Sequence, residues 1–563
     1  MQNFSRKLSL WLVAIFFQLA MVSQAQNLKT AIQLTKSEQF SAAASIYIKL
    51  IGLTPTDGDI YYYYGRNCLE KYFADTLNVS FSEKTDSARA IFKLGIRMDP
   101  ADPLNFVGLG SLKLIAKDRQ GAQAEFDKAL ALLPSKANKT IKMAPERQAK
   151  VLIQMAETFV IANIRDTTSA FEWLRMAEKL DNKDPELYLV WGDLYFYLLN
   201  DGSKAISNYN LAQGLDPNSP EAKLKIGQLW LRARQYTTAL NYYQEVVKMD
   251  SMFAPAYREL GTLLSRAGRQ EEAKLNFSRF LELSRNISAR KQYVNTLIDL
   301  GDYEEAINQL MEILKVDDSD NDVNRALAYS YYETQQYEKG LEYIKKFIAK
   351  ANPEKIRSLD YAYFGRLLSK MRMDSLAPEQ LMKAYSLDTS KTEYISEAAL
   401  CCTRFKLYDK AKDLYELKIR QKAGGPIDFY NLGKVYYSLQ DYLKADTNLA
   451  IFNNMQPDYV PGWIWRARAK SNLDPDSKEG LAKPIYETIL EKTMVDTVKY
   501  TKDRSEAYYF LAYYNFLQYS QTKIKEFALK AIAYSNMVIA IDPTDDRANK
   551  AKQIIDNLKK YMN

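Results

Sequence analysis

Histidine is absent from this chain of 563 residues. Without imidazole there is no Ser-His-Asp triad, no Cys-His nucleophile, no histidine general base and no histidine metal ligand, so the commonest routes to hydrolytic and metal-dependent catalysis are closed. Cysteine is scarce as well: Cys68, Cys401 and Cys402 are an odd number and too few to staple a fold. Cys68 and Cys402 fall where a small buried residue is expected, and in a helix the side chains of Cys401 and Cys402 diverge. Strand-like alternation is lacking, and no Gly-rich run precedes a Lys-Ser or Lys-Thr, so there is no phosphate loop; Gly108 and Gly110 read as packing residues within a helix. A formal net charge of +8 is small for this length, and neither a dense basic stripe nor an RNA-type aromatic motif is present, which argues against nucleic acid. Two acidic runs approach a calcium loop and miss it. Asp318, Asp320, Asp322 and Asn324 have Val323 and Tyr329 where the loop needs Gly and Glu, and in the run Asp474, Asp476 and Gly480 the glycine comes one place late. The first run reads instead as a turn whose acids cap the next helix. No catalytic residue, metal site or cofactor is expected.

The amino end carries information about location. Arg6 and Lys7 precede an apolar run from Leu8 to Val22, and Ser23-Gln24-Ala25 places small residues where a signal peptidase reads. The run is shorter than the roughly 20 residues a membrane-spanning helix needs. Residues 1–25 are therefore expected to be a cleaved leader, and the mature chain is expected to be exported and periplasmic, at most peripheral to an outer membrane and not integral to it.

What the chain has in abundance is repetition. Twelve residues separate an alanine from a proline six times, at Ala43 and Pro55, Ala88 and Pro100, Ala122 and Pro134, Ala205 and Pro217, Ala445 and Pro457, and Ala531 and Pro543. An aromatic follows an alanine by four in eight units, at Tyr47, Phe92, Phe126, Tyr209, Tyr243, Phe277, Tyr415 and Tyr486, and a glycine precedes the alanine by twelve in five, at Gly110, Gly227, Gly261, Gly365 and Gly433. Apolar residues recur at helical spacing in pairs of short segments that stop near Asp-Pro, as at Asp99-Pro100 and Asp542-Pro543. With 47% hydrophobic and 26% charged residues the chain can bury a continuous core, and it is too long for a single one. A stacked array of helical pairs satisfies both conditions.

In these residues the chain resembles the tetratricopeptide repeat family, whose pattern runs Leu-Gly and Tyr in a first helix, then Ala, an aromatic and a closing Pro in a second. The best copies are Tyr257 to Arg285, with Leu260-Gly261, Ala273 and Phe277, and Tyr430 to Pro457, with Leu432-Gly433, Tyr436, Ala445 and Pro457. The resemblance implies an all-α, right-handed α-solenoid. Counting by the second-helix alanine gives 14 units, from Ala43 to Ala531, with Gly340 replacing alanine in the ninth. The first unit lacks a convincing first helix, the units of Ala88, Ala482 and Ala531 carry insertions, and Asp546 to Met562 reads as a capping helix with Ile554, Ile555 and Leu558 inward. Breaks at Ser135 to Arg147 and at Ala423-Gly424-Gly425-Pro426 suggest sub-arrays at 26–134, 147–422 and 426–563. A continuous array with looser turns fits the same residues.

The family resemblance also places the binding surface. First helices line a concave groove, and the positions three before and one after the Gly-like residue point into it. These are Arg258, Lys291 and Arg325 at the first position, with Thr262, Asn295, Tyr329 and Arg366 at the second. Such a basic ladder suits an acidic or extended protein or peptide partner, or equally an ordinary solvated face. Lys291 and Asn295 match the first pair of the family's C-terminal-carboxylate clamp, but Ala326, Leu359 and Tyr363 occupy its later places, so the full clamp is missing. Of the 41 tyrosines, Tyr329, Tyr430 and Tyr437 map toward the groove. The expected function is a non-enzymatic scaffold in an outer-membrane, secretion or envelope-assembly complex; the alternative is a glycan- or peptidoglycan-associated module using groove tyrosines.

Overall fold

The computed structural model describes residues 27–75, 81–135 and 140–562; the expected leader, 1–25, lies outside the described residues. Among the described residues there is no strand, and the helices form the 14 expected pairs. The first helices are α1 (27–36), α3 (Gly58–Ala74), α5 (Leu104–Ile115), α7 (Pro145–Ile161), α9 (Pro185–Asp193), α11 (Pro220–Arg232), α13 (Ala254–Arg266), α15 (Ile287–Leu300), α17 (Asn321–Glu333), α19 (Ser358–Lys370), α21 (Glu393–Arg404), α23 (Pro426–Ser438), α25 (Val460–Leu473) and α27 (Thr501–Thr522). The second helices are α2 (Phe40–Leu53), α4 (Phe81–Met98), α6 (Arg119–Ala131), α8 (Thr168–Leu180), α10 (Gly202–Leu215), α12 (Tyr236–Met249), α14 (Gln270–Ser284), α16 (Tyr303–Leu314), α18 (Tyr337–Lys350), α20 (Ala377–Leu387), α22 (Tyr408–Arg420), α24 (Tyr442–Met455), α26 (Lys483–Lys492) and α28 (Lys525–Ile541). Helix α29 (Asp546–Met562) follows, with Ile554 and Leu558 buried as a cap requires.

The repeat residues explain the pairing. Alanines such as Ala43, Ala122, Ala239, Ala411 and Ala531 are fully buried, because only a small side chain lets two helices approach this closely. The aromatic one turn later fills the space beneath the first helix. A Cβ placed on Gly110, Gly227 or Gly261 would come within 2.3, 2.6 or 3.0 Å of Phe126, Tyr243 or Phe277. Where the aromatic is replaced by Leu381 or Leu449, Gly365 and Gly433 meet leucine instead, at 2.7 and 2.6 Å.

The turn inside each pair is equally regular. Five residues before the second-helix alanine the backbone turns left-handed, as at Lys117, Asn200, Arg234, Lys406 and Gln440, and at Gly268 and Gly301 a glycine meets that demand without strain. Aspartates next to this residue then cap the second helix: Asp118, Asp201, Asp302 and Asp441 accept from the backbone N–H of Gly121, Lys204, Glu305 and Lys444.

The sequence offers no convincing first helix for the first pair, and here the structure differs. Helix α1 is short and carries none of the glycine or tyrosine landmarks, yet Ala31 is fully buried against Ala43, Tyr47 and Leu50.

Packing divides the chain into two compact units, one ending at Val323 and the other beginning at Asn324. Each is an α-solenoid. The looser segments at 135–147 and 423–426 lie within the first and the second unit respectively. At the end of the former, Arg147 is anchored to Asp59 and, at 3.0 Å, to Asp102. In the latter, Asp428 accepts from the Gly425 N–H at 2.9 Å and starts α23.

Candidate functional site

Polar side chains on successive first helices bond across one repeat. In the first unit Lys225 meets Asp193 at 2.9 Å, Gln228 donates to Glu259 at 3.2 Å, Thr262 donates to Gln292 at 3.2 Å, and Lys291 pairs with Asp320. In the second unit Arg325 reaches the fully buried Asp360 at 2.9 Å, Tyr329 donates to the same carboxylate, Arg366 grips Glu397 at 2.7 and 2.8 Å, and Arg468 grips Glu506 at 2.7 and 2.8 Å. Asp360 also accepts from the Arg357 N–H at 2.6 Å, so one carboxylate caps α19 and holds the preceding repeat. Of the sequence-predicted residues, Lys291 in the first unit and Arg325 and Arg366 in the second are engaged in ion pairs between neighbouring repeats, Thr262 and Tyr329 in hydrogen bonds, and Asn295 is exposed on α15. Sequence reasoning missed the acids. Their signal is an Asp or Glu about one repeat period beyond each base, as with Arg366 and Glu397 or Lys291 and Asp320.

The first unit surrounds an open cavity of about 610 Å³, lined by residues of α1, α3, α5, α7, α9, α11, α13 and α15. The first repeat reaches across to the sixth and seventh, and the end of the second reaches the eighth. Lys36 binds Glu221 at 2.7 Å, Glu38 pairs with Arg258, and Gln39 donates to the Met252 carbonyl at 2.9 Å. At the end of α3, Asn286 donates to the Ala74 carbonyl at 2.9 Å, and Asp75 accepts from the N–H of Ile287 at 2.8 Å and of Ser288 at 3.1 Å. Asp75 thus caps α15 from more than 200 residues away. Arg258 lines this cavity and its guanidinium lies 5.4 Å from the Phe280 ring centre.

Carboxylates outnumber cations in the wall. Glu221 has Lys36, Asp193 has Lys225, Glu38 has Arg258, and Glu186 has Lys150, each as an ion pair. Glu70 and Glu157 share one cation: Arg66 donates to Glu70 at 2.8 Å and to the two oxygens of Glu157 at 2.6 and 2.9 Å. Burial pushes the Glu70 carboxyl above its ordinary range although Arg66 opposes it. Burial acts to lower the Lys36 ammonium, but Glu221, Glu186 and Glu157 outweigh it and leave the group well above the usual ammonium range. After α9, whose last residue Asp193 lines the cavity, the backbone continues as one π-helical turn, Leu194–Leu198, whose Tyr197 lines it too.

In the second unit the groove aromatics pack on one another. Tyr329 stacks on Tyr363 with ring centres 4.0 Å apart, and Tyr437 meets the edge of Trp465 at 5.2 Å. Tyr430, expected in the groove because it sits three residues before Gly433, is instead buried against Phe452, with ring centres 5.0 Å apart. Cys401 and Cys402 are both buried and belong to different core clusters, so their side chains do diverge. Asp474, from the second calcium-like run, folds a loop around itself by accepting from the N–H of Lys478, Glu479, Gly480 and Leu481 at 2.7 to 3.3 Å. Among the described residues, no group of three or more Cys, Asp or Glu is placed to hold a metal, and no helix is long and apolar enough to cross a membrane.

Comparison with known proteins gives the same repeat. The tetratricopeptide repeat model matches residues 224–282 and 294–355. The crystallised C-terminal part of a TPR repeat-containing protein from Cytophaga hutchinsonii is 31% identical, over 46% of this chain and 98% of that one, with a TM-score of 0.41. TPR repeat-containing protein YpiA of Bacillus subtilis is 22% identical over 290 residues, covering 51% of this chain and 67% of that protein. DnaJ homolog subfamily C member 3 of Gallus gallus is 23% identical over 327 residues, covering 51% and 62%. The chain thus spans about two thirds or less of the length of these two relatives.

Proposed function

Because this chain belongs to the tetratricopeptide repeat family, whose members mediate protein–protein interaction, we propose that it is a non-enzymatic scaffold that holds an extended segment of a partner protein along its first helices, on the periplasmic side of a cell envelope. The observation that carries this reading is the cavity of the first unit. At about 610 Å³ it lies in the range of built ligand sites, and eight successive first helices contribute to it. Solenoid surfaces gain affinity by adding small contacts over many repeats. The location rests on the leader read in the sequence, and the assignment to an envelope, secretion or outer-membrane complex follows from that location.

The absence of histidine supports a binding role over a catalytic one, since the buried carboxylates are engaged in ion pairs that stitch repeats together. The glycan alternative is less well supported. Carbohydrate recognition needs free aromatic faces, whereas Tyr329, Tyr363, Tyr437 and Trp465 lie against one another.

Filling the cavity tests the reading. Replacing Gln154 and Gln228 by tryptophan in the full chain is expected to abolish co-purification of a defined envelope protein while leaving the helical signal intact. Undiminished co-purification, or sedimentation of the chain with purified cell-wall sacculi in place of a protein partner, contradicts it. Cell fractionation with amino-terminal sequencing checks the location: a mature chain beginning after Ala25 in the periplasmic fraction is expected, and an uncleaved cytoplasmic chain refutes it.

A further inference from the structure

Resting on the reading of the first-unit cavity as a partner site, we infer that this cavity selects a cationic residue, an arginine or lysine side chain within an extended segment of the partner. The ladder of bases in the sequence points to an acidic partner; the wall of the cavity points the other way.

Charge complementarity carries the inference. Among the described residues the cations of the wall are each ion-paired with a carboxylate; Lys36, whose charge also reaches Glu70 and Glu157, is held by Glu221, and Glu70 and Glu157 share Arg66 as their ion-pair partner. One guanidinium neutralises one carboxylate, so a negative charge is left over at this place. Its side chains are poorly hydrated: Glu70 is 30% exposed, Glu157 20% and Arg66 15%. An excess charge held in partial burial costs free energy, and an incoming cation relieves that cost more than it would at a hydrated surface.

The surroundings suit the stem of such a side chain. Phe73 lies one turn beyond Glu70 on α3, and Ile161 one turn beyond Glu157 on α7; both line the cavity, and Phe73 is 42% exposed. A long aliphatic stem lying on Phe73 and Ile161 with its charged end between the two carboxylates uses both features, as arginine and lysine side chains do on apolar surfaces. A second observation marks the cavity as a place for a polar ligand. The Ser111 hydroxyl lines the same cavity, only 4% of the residue is exposed, and among the described residues no hydrogen-bond partner reaches it. An oxygen of Glu38, on the closing segment of the same wall, is likewise buried with no hydrogen bond.

The test uses the full chain and three blocked pentapeptides, alanine throughout except for arginine, lysine or glutamate at the centre, titrated calorimetrically at low and physiological salt. The arginine and lysine peptides are expected to bind at least about 10-fold tighter than the glutamate peptide, with affinity falling as salt rises. Glu70→Gln removes the surplus charge and leaves Arg66 its bonds to Glu157; it is expected to weaken the arginine peptide about 10-fold, or about 1.4 kcal/mol. Phe73→Ala, which breaks no ion pair, is expected to weaken both cationic peptides several-fold and serves should Glu70→Gln misfold. Glutamate bound as tightly as arginine, no binding of either cationic peptide, or cationic binding unchanged in both variants overturns the inference. Cross-linking of a partner protein from inside the cavity is a separate readout, so the selectivity for a cation and the partner-binding role fail independently.

Discussion

Replacing Arg258 by alanine should open the first unit at its seam. Arg258 on α13 pairs with Glu38, which follows α1, and its guanidinium also lies over the Phe280 ring. The side chains are 26% and 13% exposed, between a surface pair worth at most about 1 kcal/mol and a buried pair whose rupture costs about 3–5 kcal/mol. One Glu38 oxygen already lacks a hydrogen bond, so alanine at position 258 leaves the carboxylate nearly alone in a poorly hydrated place. A loss of about 2 kcal/mol from seam closure is reasonable. That corresponds to roughly a 30-fold rise in the open population. Hydrogen exchange in α1 and α2 should accelerate by this factor, because these helices are held at the seam by Lys36, Glu38 and Gln39, whereas α10 and α12, away from it, should keep their protection. Arg258→Lys should fall between the two, since it restores a charge without the planar fork. Unchanged exchange in α1 and α2 in the folded Arg258→Ala chain would refute the reasoning, and so would uniform acceleration through the first unit.

Three further outcomes follow from the same packing. Phe277→Ala should cost about 3–5 kcal/mol on thermal or urea unfolding, because the ring is 1% exposed and fills the space that Gly261 leaves; a cost under about 1 kcal/mol contradicts the repeat register. Asp474→Asn should destabilise the 474–481 loop by about 1–2 kcal/mol at pH 7, since four backbone N–H groups hold the ionised carboxyl below its ordinary range against the effect of burial. Because the folded value is the lower one, this contribution is complete above the unfolded value of about 3.8, fades as pH falls through the folded value, and wild type and variant should converge in acid. Burial pushes the Cys402 thiol up to about 11, so at pH 8 its labelling by a thiolate-selective reagent should run roughly 100-fold slower in the folded chain than in urea; equal rates would show that the site is open.

Much of the fold could be read directly because one spacing recurs. Ala122, Gly110 and Phe126 are three views of one contact, and each copy of the spacing predicts the same contact elsewhere. The unit count and the capping helix follow from it. Helix α1 escaped because it packs through Ala31, Leu28 and Leu34, with no glycine or tyrosine landmark to mark its register. Tyr430 was misplaced for a related reason: the periodicity gives a position on a helix, but a ring this large follows the space beside Phe452. The candidate site was legible only in half. Arg258, Lys291, Arg325 and Arg366 sit on first helices as the register requires, but their partners Glu38, Asp320, Asp360 and Glu397 are supplied by other repeats. Closure of the first unit had no local signal. It depends on side chains more than 200 residues apart, such as Glu38 with Arg258 and Asp75 with Ser288, and no periodicity connects them.

A partner protein should occupy the inner face of the first unit. A photoreactive amino acid placed singly at Gln228, which lines the cavity, or at Leu275, which is 71% exposed on a second helix, tests it in the cell. Irradiation should join a discrete protein to the chain from position 228 and none from position 275. Cross-links arising from position 275 alone, or from neither, would contradict it.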